Sequence, residues 1–255
     1  MNRHLLVMTA CIDPSKGEYR LNRADPMVRL EDYRTALRFW LQFPDERIRN
    51  ILFIENSSYP LDSLKTTAER ENPLEKNLEF ISLDCNWYPP GGHYGYAELR
   101  MLDLGLQRSR LRDATTHMIK VSGRFTFPNL TRLLDRLPAE FDAVADARAW
   151  RTLRKRHEHP QVTTQIILFA HDFYNLHLQN CYRELESGDL SHMEAIYYRK
   201  LAELSAASKI VLRFPCNVSP VGFPAHRDRP YGHPSQVLAN GFRAVTRRIL
   251  PNWWI

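Results

Sequence analysis

Short apolar runs alternate with longer amphipathic runs along most of this 255-residue chain, and that alternation limits what it can fold into. Apolar runs predict strands at 4–12, 51–54, 78–83, 117–122, 141–145, 165–170 and 209–214. Segments with helical spacing lie between or after them, at 29–43, 61–71, 96–110, 130–137, 173–186 and 191–207. This pattern indicates an α/β fold with a mostly parallel sheet, helices on both faces, and a C-terminal helical and loop extension.

The composition is that of a globular protein with a surplus of positive charge. Hydrophobic residues make up 44% and charged residues 25%, which argues against disorder, and the net charge of +6 favours a polyanionic partner. No apolar run approaches the roughly 20 residues that a membrane span needs. The N-terminus passes directly into the first predicted strand. We therefore expect a cytoplasmic protein with a single domain over 1–255, comprising a nucleotide-binding half (1–150) and an acceptor half with a tail (151–255).

Four of the predicted strands end in polar residues. These are Thr9 and Asp13 after the first strand, Glu55, Asn56 and Ser57 after the second, Lys120, Gly123 and Arg124 at the fourth, and Asp146 and Arg148 after the fifth. Because the carboxyl ends of parallel strands meet at one edge of a sheet, these side chains predict a ligand pocket there.

The common nucleotide-binding and hydrolase motifs are missing. The sequence has no Gly-x-Gly-x-x-Gly after the first strand, no P-loop and no Gly-x-Ser-x-Gly elbow. Gly91, Gly92 and Gly95 precede a predicted helix and offer backbone N–H groups to a phosphate, although a simple turn explains them equally well.

Three segments together resemble a known family. Residues 54–57 (IENS), 95–98 (GYAE) and 119–125 (IKVSGRF) are similar to bacterial GT-A-type glycosyltransferases of surface-polysaccharide (capsule and lipopolysaccharide) assembly, over about residues 4–150. The resemblance implies a GT-A-like, Rossmann-related sheet. It also implies transfer of a sugar from a nucleotide-sugar donor to a glycan or lipid-linked acceptor. Gly95 and Glu98 join the polar strand ends as donor-binding residues.

One departure from the family concerns metal. Metal-dependent members carry Asp-x-Asp where this chain has Lys120 and Arg124. Two cations facing a diphosphate neutralise its charge as a divalent ion would. The resemblance therefore implies a metal-independent enzyme without a cofactor, or one that takes a metal ligand from Asp146. A third alternative is that the two cations pair with nearby carboxylates in a structural role.

The sequence offers several carboxylates as the catalytic base. Asp172 and Asp146 each follow an apolar strand and are the predicted candidates, because transfer to a hydroxyl needs a group that takes its proton. Glu194 falls within a predicted helix, where a surface ion pair is expected.

The C-terminus and a central basic run suggest further partners. Arg243, Arg247 and Arg248 precede Trp253 and Trp254, a combination that suits an anionic membrane surface, whereas packing of both rings in the core is the alternative. The basic run at 148–156 allows a nucleic-acid-binding protein, which is disfavoured because no known module accompanies it. A nucleotidyltransferase on a similar sheet is the other alternative.

Overall fold

The computed structural model describes residues 4–17, 21–90, 92–148, 161–186, 192–225, 230–231, 238, 241–243, 245–246 and 249. Its strands are β1 (His4–Ala10), β2 (Asn50–Glu55), β3 (Asn77–Ser82), β4 (His117–Ser122), β5 (Ala143–Val144), β6 (Ala147–Arg148), β7 (Gln161–Val162), β8 (Ile166–Ala170) and β9 (Ile210–Val211). Its helices are α1 (Pro26–Gln42), α2 (Asp62–Arg70), α3 (Gly95–Arg108), α4 (Leu130–Leu134), α5 (His171–His177) and α6 (Met193–Leu204).

Seven strands form one mixed sheet in the order β3-β2-β1-β4-β8-β5-β9. The pairs β3–β2, β2–β1, β1–β4 and β5–β9 are parallel, whereas β8 runs antiparallel to both of its neighbours. The predicted mostly parallel α/β sheet is therefore confirmed. A separate antiparallel pair joins β6 to β7.

Helices cover both faces of the sheet, and successive side chains of β1 pack alternately against the helices on one face and on the other. Leu6 and Met8 belong to a buried cluster with α1 and α2, whereas Leu5 and Val7 belong to a second cluster with α3, α5 and α6. A strand with apolar residues on both faces needs cover on both sides, which is why β1 reads as a continuous apolar run.

Local chemistry sets where α1 begins and how closely α3 packs against the sheet. The Asp25 side chain accepts a hydrogen bond from the Met27 N–H, and Pro26 occupies the first turn of α1. In α3, a Cβ at Gly105 would lie 2.2 Å from Cδ1 of Ile54 on β2, so glycine allows the helix to approach the sheet closely.

Candidate functional site

A cleft of about 200 Å³ opens at the carboxyl ends of β1, β2 and β4, between α1 and α3. Five residues predicted from the sequence line it: Thr9, Asn56, Glu98, Gly123 and Arg124. Asp13, Glu55, Ser57, Gly95, Lys120, Asp146, Arg148 and Asp172 are absent from its lining. The cleft therefore lies at the predicted edge of the sheet, with only part of the predicted side chains facing it.

Glu55 joins the loops that follow β1 and β2. Its fully buried carboxylate accepts hydrogen bonds from the backbone N–H groups of Ile12, Ser57 and Tyr59, at 3.1, 2.9 and 3.0 Å, and from the Ser57 hydroxyl. The Ser57 oxygen in turn accepts the Asp13 N–H at 3.0 Å. These bonds occupy both Glu55 oxygens, so Glu55 and Ser57 shape the wall of the cleft without facing it.

Two α1 residues hold the loop after β1 from the other side. The buried Arg29 guanidinium donates to the Cys11 carbonyl from Nε and Nη2, at 2.7 and 2.5 Å. The Tyr33 hydroxyl accepts the Cys11 N–H at 2.9 Å. Both side chains line the cleft. Neither residue was predicted as a site residue, since helical periodicity marks Tyr33 only as a core position and assigns no role to Arg29.

Two glycines allow the backbone around Arg124 to pack closely. The Gly123 N–H donates to the Thr9 carbonyl at 2.8 Å, and a Cβ at Gly123 would lie 2.8 Å from the same oxygen. Gly222 has φ +134°, and a Cβ there would lie 2.5 Å from the Arg124 carbonyl oxygen. The C-terminal segment can therefore cross the turn after β4, where Val221 and Thr126 exchange backbone hydrogen bonds.

Two buried polar atoms of cleft residues have no hydrogen-bond partner within the described ranges. Nη1 of Arg124 has no hydrogen-bond acceptor among the described residues, and its guanidinium carbon lies 5.9 Å from the centre of the Tyr33 ring. Burial lowers the pKa of Arg124, and the positive charge of Arg29 acts in the same direction. Oδ1 of Asn56 is likewise buried and lacks a donor among the described residues. Such groups cost free energy when unpaired, and an anion beside Arg124 and a hydrogen-bond donor beside Asn56 would satisfy them.

Lys120 is engaged by a carboxylate. Its buried Nζ lies 2.5 Å from Oε1 of Glu98 and donates to the Thr164 carbonyl at 2.8 Å. The Thr9 hydroxyl donates to the same Glu98 oxygen at 3.1 Å. The alternative that the two cations pair with carboxylates in a structural role therefore holds for Lys120. It does not hold for Arg124, which has no carboxylate partner in the described part of the chain.

Asp146 and Arg148 also pair with each other. The Arg148 Nε lies 2.7 Å from Oδ2 of the fully buried Asp146, and the Phe214 N–H reaches Oδ1 at 3.4 Å. A carboxylate neutralised in this way is poorly placed to accept a proton or to hold a metal ion.

Two predicted placements are corrected. Asp172 follows β8, which runs antiparallel to β4, so Ala170 pairs with His117 at the start of β4 and Asp172 lies exposed at the opposite edge of the sheet. Gly95 begins α3, but its N–H donates to Nδ1 of His93 at 3.1 Å and is therefore not free for a phosphate.

The residues at the cleft do not fit a divalent cation. The turn after β4 offers Ser122, Gly123 and Arg124 in place of acids, and Lys120 already neutralises Glu98. Within the described ranges, no group of three His, Cys, Asp or Glu side chains is arranged to hold a metal ion. Magnesium and manganese prefer carboxylate oxygens, which this turn lacks.

Comparison with known proteins identifies a fold. No family model matches the sequence, and no curated protein is similar to it in sequence. A mannosyltransferase from Pyrobaculum calidifontis, solved with GDP-Man and Mn²⁺, is 9% identical and has a TM-score of 0.51; the match covers 96% of this chain but only 62% of that one.

Two further solved structures are similar at lower TM-scores. The galactosyltransferase LgtC is 12% identical with a TM-score of 0.48, covering 82% of this chain and 72% of its own. The 4-diphosphocytidyl-2C-methyl-D-erythritol synthase from Anaerococcus prevotii is 11% identical with a TM-score of 0.48, covering 95% and 96%. The mannosyltransferase similarity shows that this chain has a GT-A-like α/β fold.

Proposed function

We propose that this chain transfers a sugar from a nucleotide-sugar donor to a hydroxyl acceptor, with the nucleotide bound in the cleft. The observation that carries the proposal is that Arg124 lines the cleft and that its buried Nη1 has no acceptor among the described residues. Arginine holds phosphate oxygens with paired hydrogen bonds, and a cation at that place stabilises the charge that develops on a leaving diphosphate. The GT-A-like fold supports the same reading at the level of architecture.

The remaining cleft residues take roles that follow from their positions. We assign Thr9 and Asn56 to the base and ribose, because the unpartnered Asn56 oxygen accepts a donor such as a base N–H or a ribose hydroxyl. Gly123 brings backbone close to the phosphates beside Arg124. Lys120 acts as a positioning residue by holding Glu98.

The acceptor that we propose is a glycan or lipid-linked glycan of the cell surface. This proposal is supported by the resemblance of 54–57, 95–98 and 119–125 to surface-polysaccharide transferases. The net positive charge of the chain and the arginines of its C-terminal tail favour an acceptor presented at an anionic membrane.

Nucleotide binding tests the function directly, and EDTA tests its independence of metal. Thermal unfolding is measured with UDP, GDP, CMP and dTDP, each in EDTA and in Mn²⁺. At 100 times its dissociation constant, the correct nucleotide adds about 2.7 kcal/mol to the free energy of unfolding. We expect one nucleotide to raise the melting temperature equally in both buffers, and the matching nucleotide sugar to be cleaved in EDTA.

Three outcomes would contradict this proposal. A response to none of the four nucleotides removes the donor site. Cleavage abolished by EDTA and restored by Mn²⁺ shows that carboxylates such as Glu98 bind metal after all. Preference for a nucleoside triphosphate with pyrophosphate release would instead favour nucleotidyl transfer.

The C-terminal segment presents an apolar stripe. Leu238, Phe242, Val245 and Ile249 are each 56–76% exposed, and their spacing of four, three and four residues places them on one side of a helix. None of the described helices is both long enough and apolar enough to span a bilayer. Arg247, Arg248, Trp253 and Trp254 lie outside the described residues. We propose that this stripe and the neighbouring arginines, including Arg243, bind an anionic membrane surface.

Vesicle co-sedimentation tests this membrane proposal. Each basic residue near an anionic surface contributes about 1 kcal/mol, and apolar insertion adds an attraction that salt does not screen. We expect binding to phosphatidylserine-containing vesicles at low salt, most of it lost at high salt. Phe242→Glu and deletion of 251–255 should each weaken binding while the melting temperature is unchanged, and Leu176→Glu, at an exposed site on α5, serves as the control. If the deletion unfolds the protein, the tail belongs to the core.

A further inference from the structure

A second cavity adjoins the nucleotide cleft. It has a volume of about 480 Å³, and Tyr88 and Tyr94 line both spaces. Its other lining residues include His93, His192 and Glu194. Two cavities with a common aromatic wall place a second substrate directly beside the first, as a transfer reaction requires.

We propose that this second cavity binds the acceptor and that Glu194 takes the proton from the attacking hydroxyl. The inference rests on the proposed function, because a transferred sugar is what makes a second substrate necessary. It replaces the predicted bases Asp172 and Asp146, which the structure places elsewhere.

Glu194 differs from the other acids around the site in its partners. Glu98 is paired with Lys120, and Asp146 is paired with Arg148. Glu194, at the second residue of α6, accepts hydrogen bonds from the Thr164 hydroxyl, at 3.2 Å, and from its own backbone N–H, and no described cation forms an ion pair with it. Among the described residues, the helix-surface ion pair expected from the sequence is therefore not formed, and Glu194 lines the second cavity.

The surroundings of Glu194 suit a base. Burial raises the pKa of Glu194, and the negative charge of Glu98 on α3 acts in the same direction, while His192 opposes them. A carboxylate whose pKa is raised toward the working pH accepts a proton more readily. His93 faces the same cavity, and burial lowers its pKa to about 4, followed by the effect of His192, so it is neutral at pH 7.

His93 and the two tyrosines supply contacts that suit a sugar. Because Nδ1 of His93 accepts the Gly95 N–H, its Nε2 carries the proton and can donate to an acceptor oxygen. The ring centres of His93 and Tyr94 lie 4.0 Å apart, and those of His93 and His192 lie 4.7 Å apart. Flat rings with polar edges offer both an apolar surface and hydrogen bonds, which a polyhydroxylated acceptor needs.

In the proposed reaction, Glu194 accepts the proton of the acceptor and the nucleotide is the leaving group. The acceptor oxygen forms a bond to the anomeric carbon as its proton passes to a Glu194 carboxylate oxygen. The bond from that carbon to the phosphate oxygen breaks, and its electron pair leaves with the nucleoside diphosphate, whose charge faces Arg124. The proton then passes from Glu194 to solvent.

The test compares Glu194→Gln with Glu203→Gln, the same change at an exposed position on the same helix. The nucleotide sugar is the one whose nucleotide binds best in the thermal screen. We expect Glu194→Gln to reduce release of nucleoside diphosphate 10²- to 10⁴-fold, with nucleotide affinity unchanged. Glu203→Gln should retain the wild-type rate. In the wild type the rate should fall with decreasing pH through a pKa above 4.5, since Glu194 must be ionised to act.

Rescue by azide distinguishes a role of Glu194 as the catalytic base from a structural role. Azide is already an anion and has no proton to lose, so Glu194→Ala should cleave the donor in azide and form a glycosyl azide. A wild-type rate in Glu194→Gln overturns the inference and leaves the proposed function intact. Lost turnover without azide rescue, together with weaker nucleotide binding, makes Glu194 structural and also overturns it. A wild type that binds nucleotide but cleaves no nucleotide sugar overturns both proposals.

Discussion

Replacing Glu55 with alanine is expected to lower the free energy of unfolding by about 3 kcal/mol or more. The buried carboxylate accepts three backbone N–H groups and the Ser57 hydroxyl, and no other described acceptor bonds to the Ile12 or Tyr59 N–H. A buried donor left without an acceptor costs about 1–3 kcal/mol. Because the loops after β1 and β2 meet through this carboxylate, nucleotide affinity should fall as well. Urea unfolding measures the first effect and the thermal-shift screen the second.

Two controls sharpen the Glu55 experiment. Glu140→Ala removes an exposed carboxylate whose one described ion pair is with Lys209, and it should leave the urea midpoint unchanged. Glu55→Gln keeps the shape of the side chain but turns an N–H₂ group toward backbone donors, so it should restore only part of the lost stability. A Glu55→Ala protein as stable as the wild type would show that water satisfies the freed N–H groups and that the loops do not depend on this residue.

Replacing Arg124 with methionine is expected to weaken nucleotide binding about 10- to 150-fold and leave the protein at least as stable. A hydrogen bond between a guanidinium and a phosphate is worth about 1.5–3 kcal/mol of binding. In the free protein, by contrast, Nη1 of Arg124 is buried and has no acceptor among the residues that the structure describes, and methionine removes that desolvation cost while filling similar space. Binding is measured by titration calorimetry and stability by the melting temperature.

The matched control for Arg124 is Arg38→Met, which removes a guanidinium that pairs with Glu71 away from the cleft. It should leave nucleotide affinity unchanged. If Arg124→Met lowers the melting temperature and leaves nucleotide affinity intact, Arg124 is a structural residue and the phosphates bind elsewhere. An intermediate effect of Arg124→Lys, which keeps the charge without the paired hydrogen bonds, would separate charge from geometry.

The sequence by itself determined the architecture of this protein. Short apolar runs and helical spacing report which sides of a segment are buried, and that property is local enough to be read from neighbouring residues. The alternation along the chain therefore predicted the strands, the helices and the α/β sheet, and the polar ends of β1, β2 and β4 predicted the edge where the cleft lies.

Only the tertiary structure decided the direction of β8 and the partners of the charged residues. An apolar strand reads the same in either direction, so nothing in residues 165–172 indicated that Asp172 would reach the opposite edge. Lys120 on β4 meets Glu98 of α3, whereas Arg124, in the turn that follows, lies beside Tyr33 of α1 and meets no carboxylate in the described part of the chain. Electrostatic pairing depends on distances of a few ångströms between residues far apart in sequence, and packing alone sets those distances.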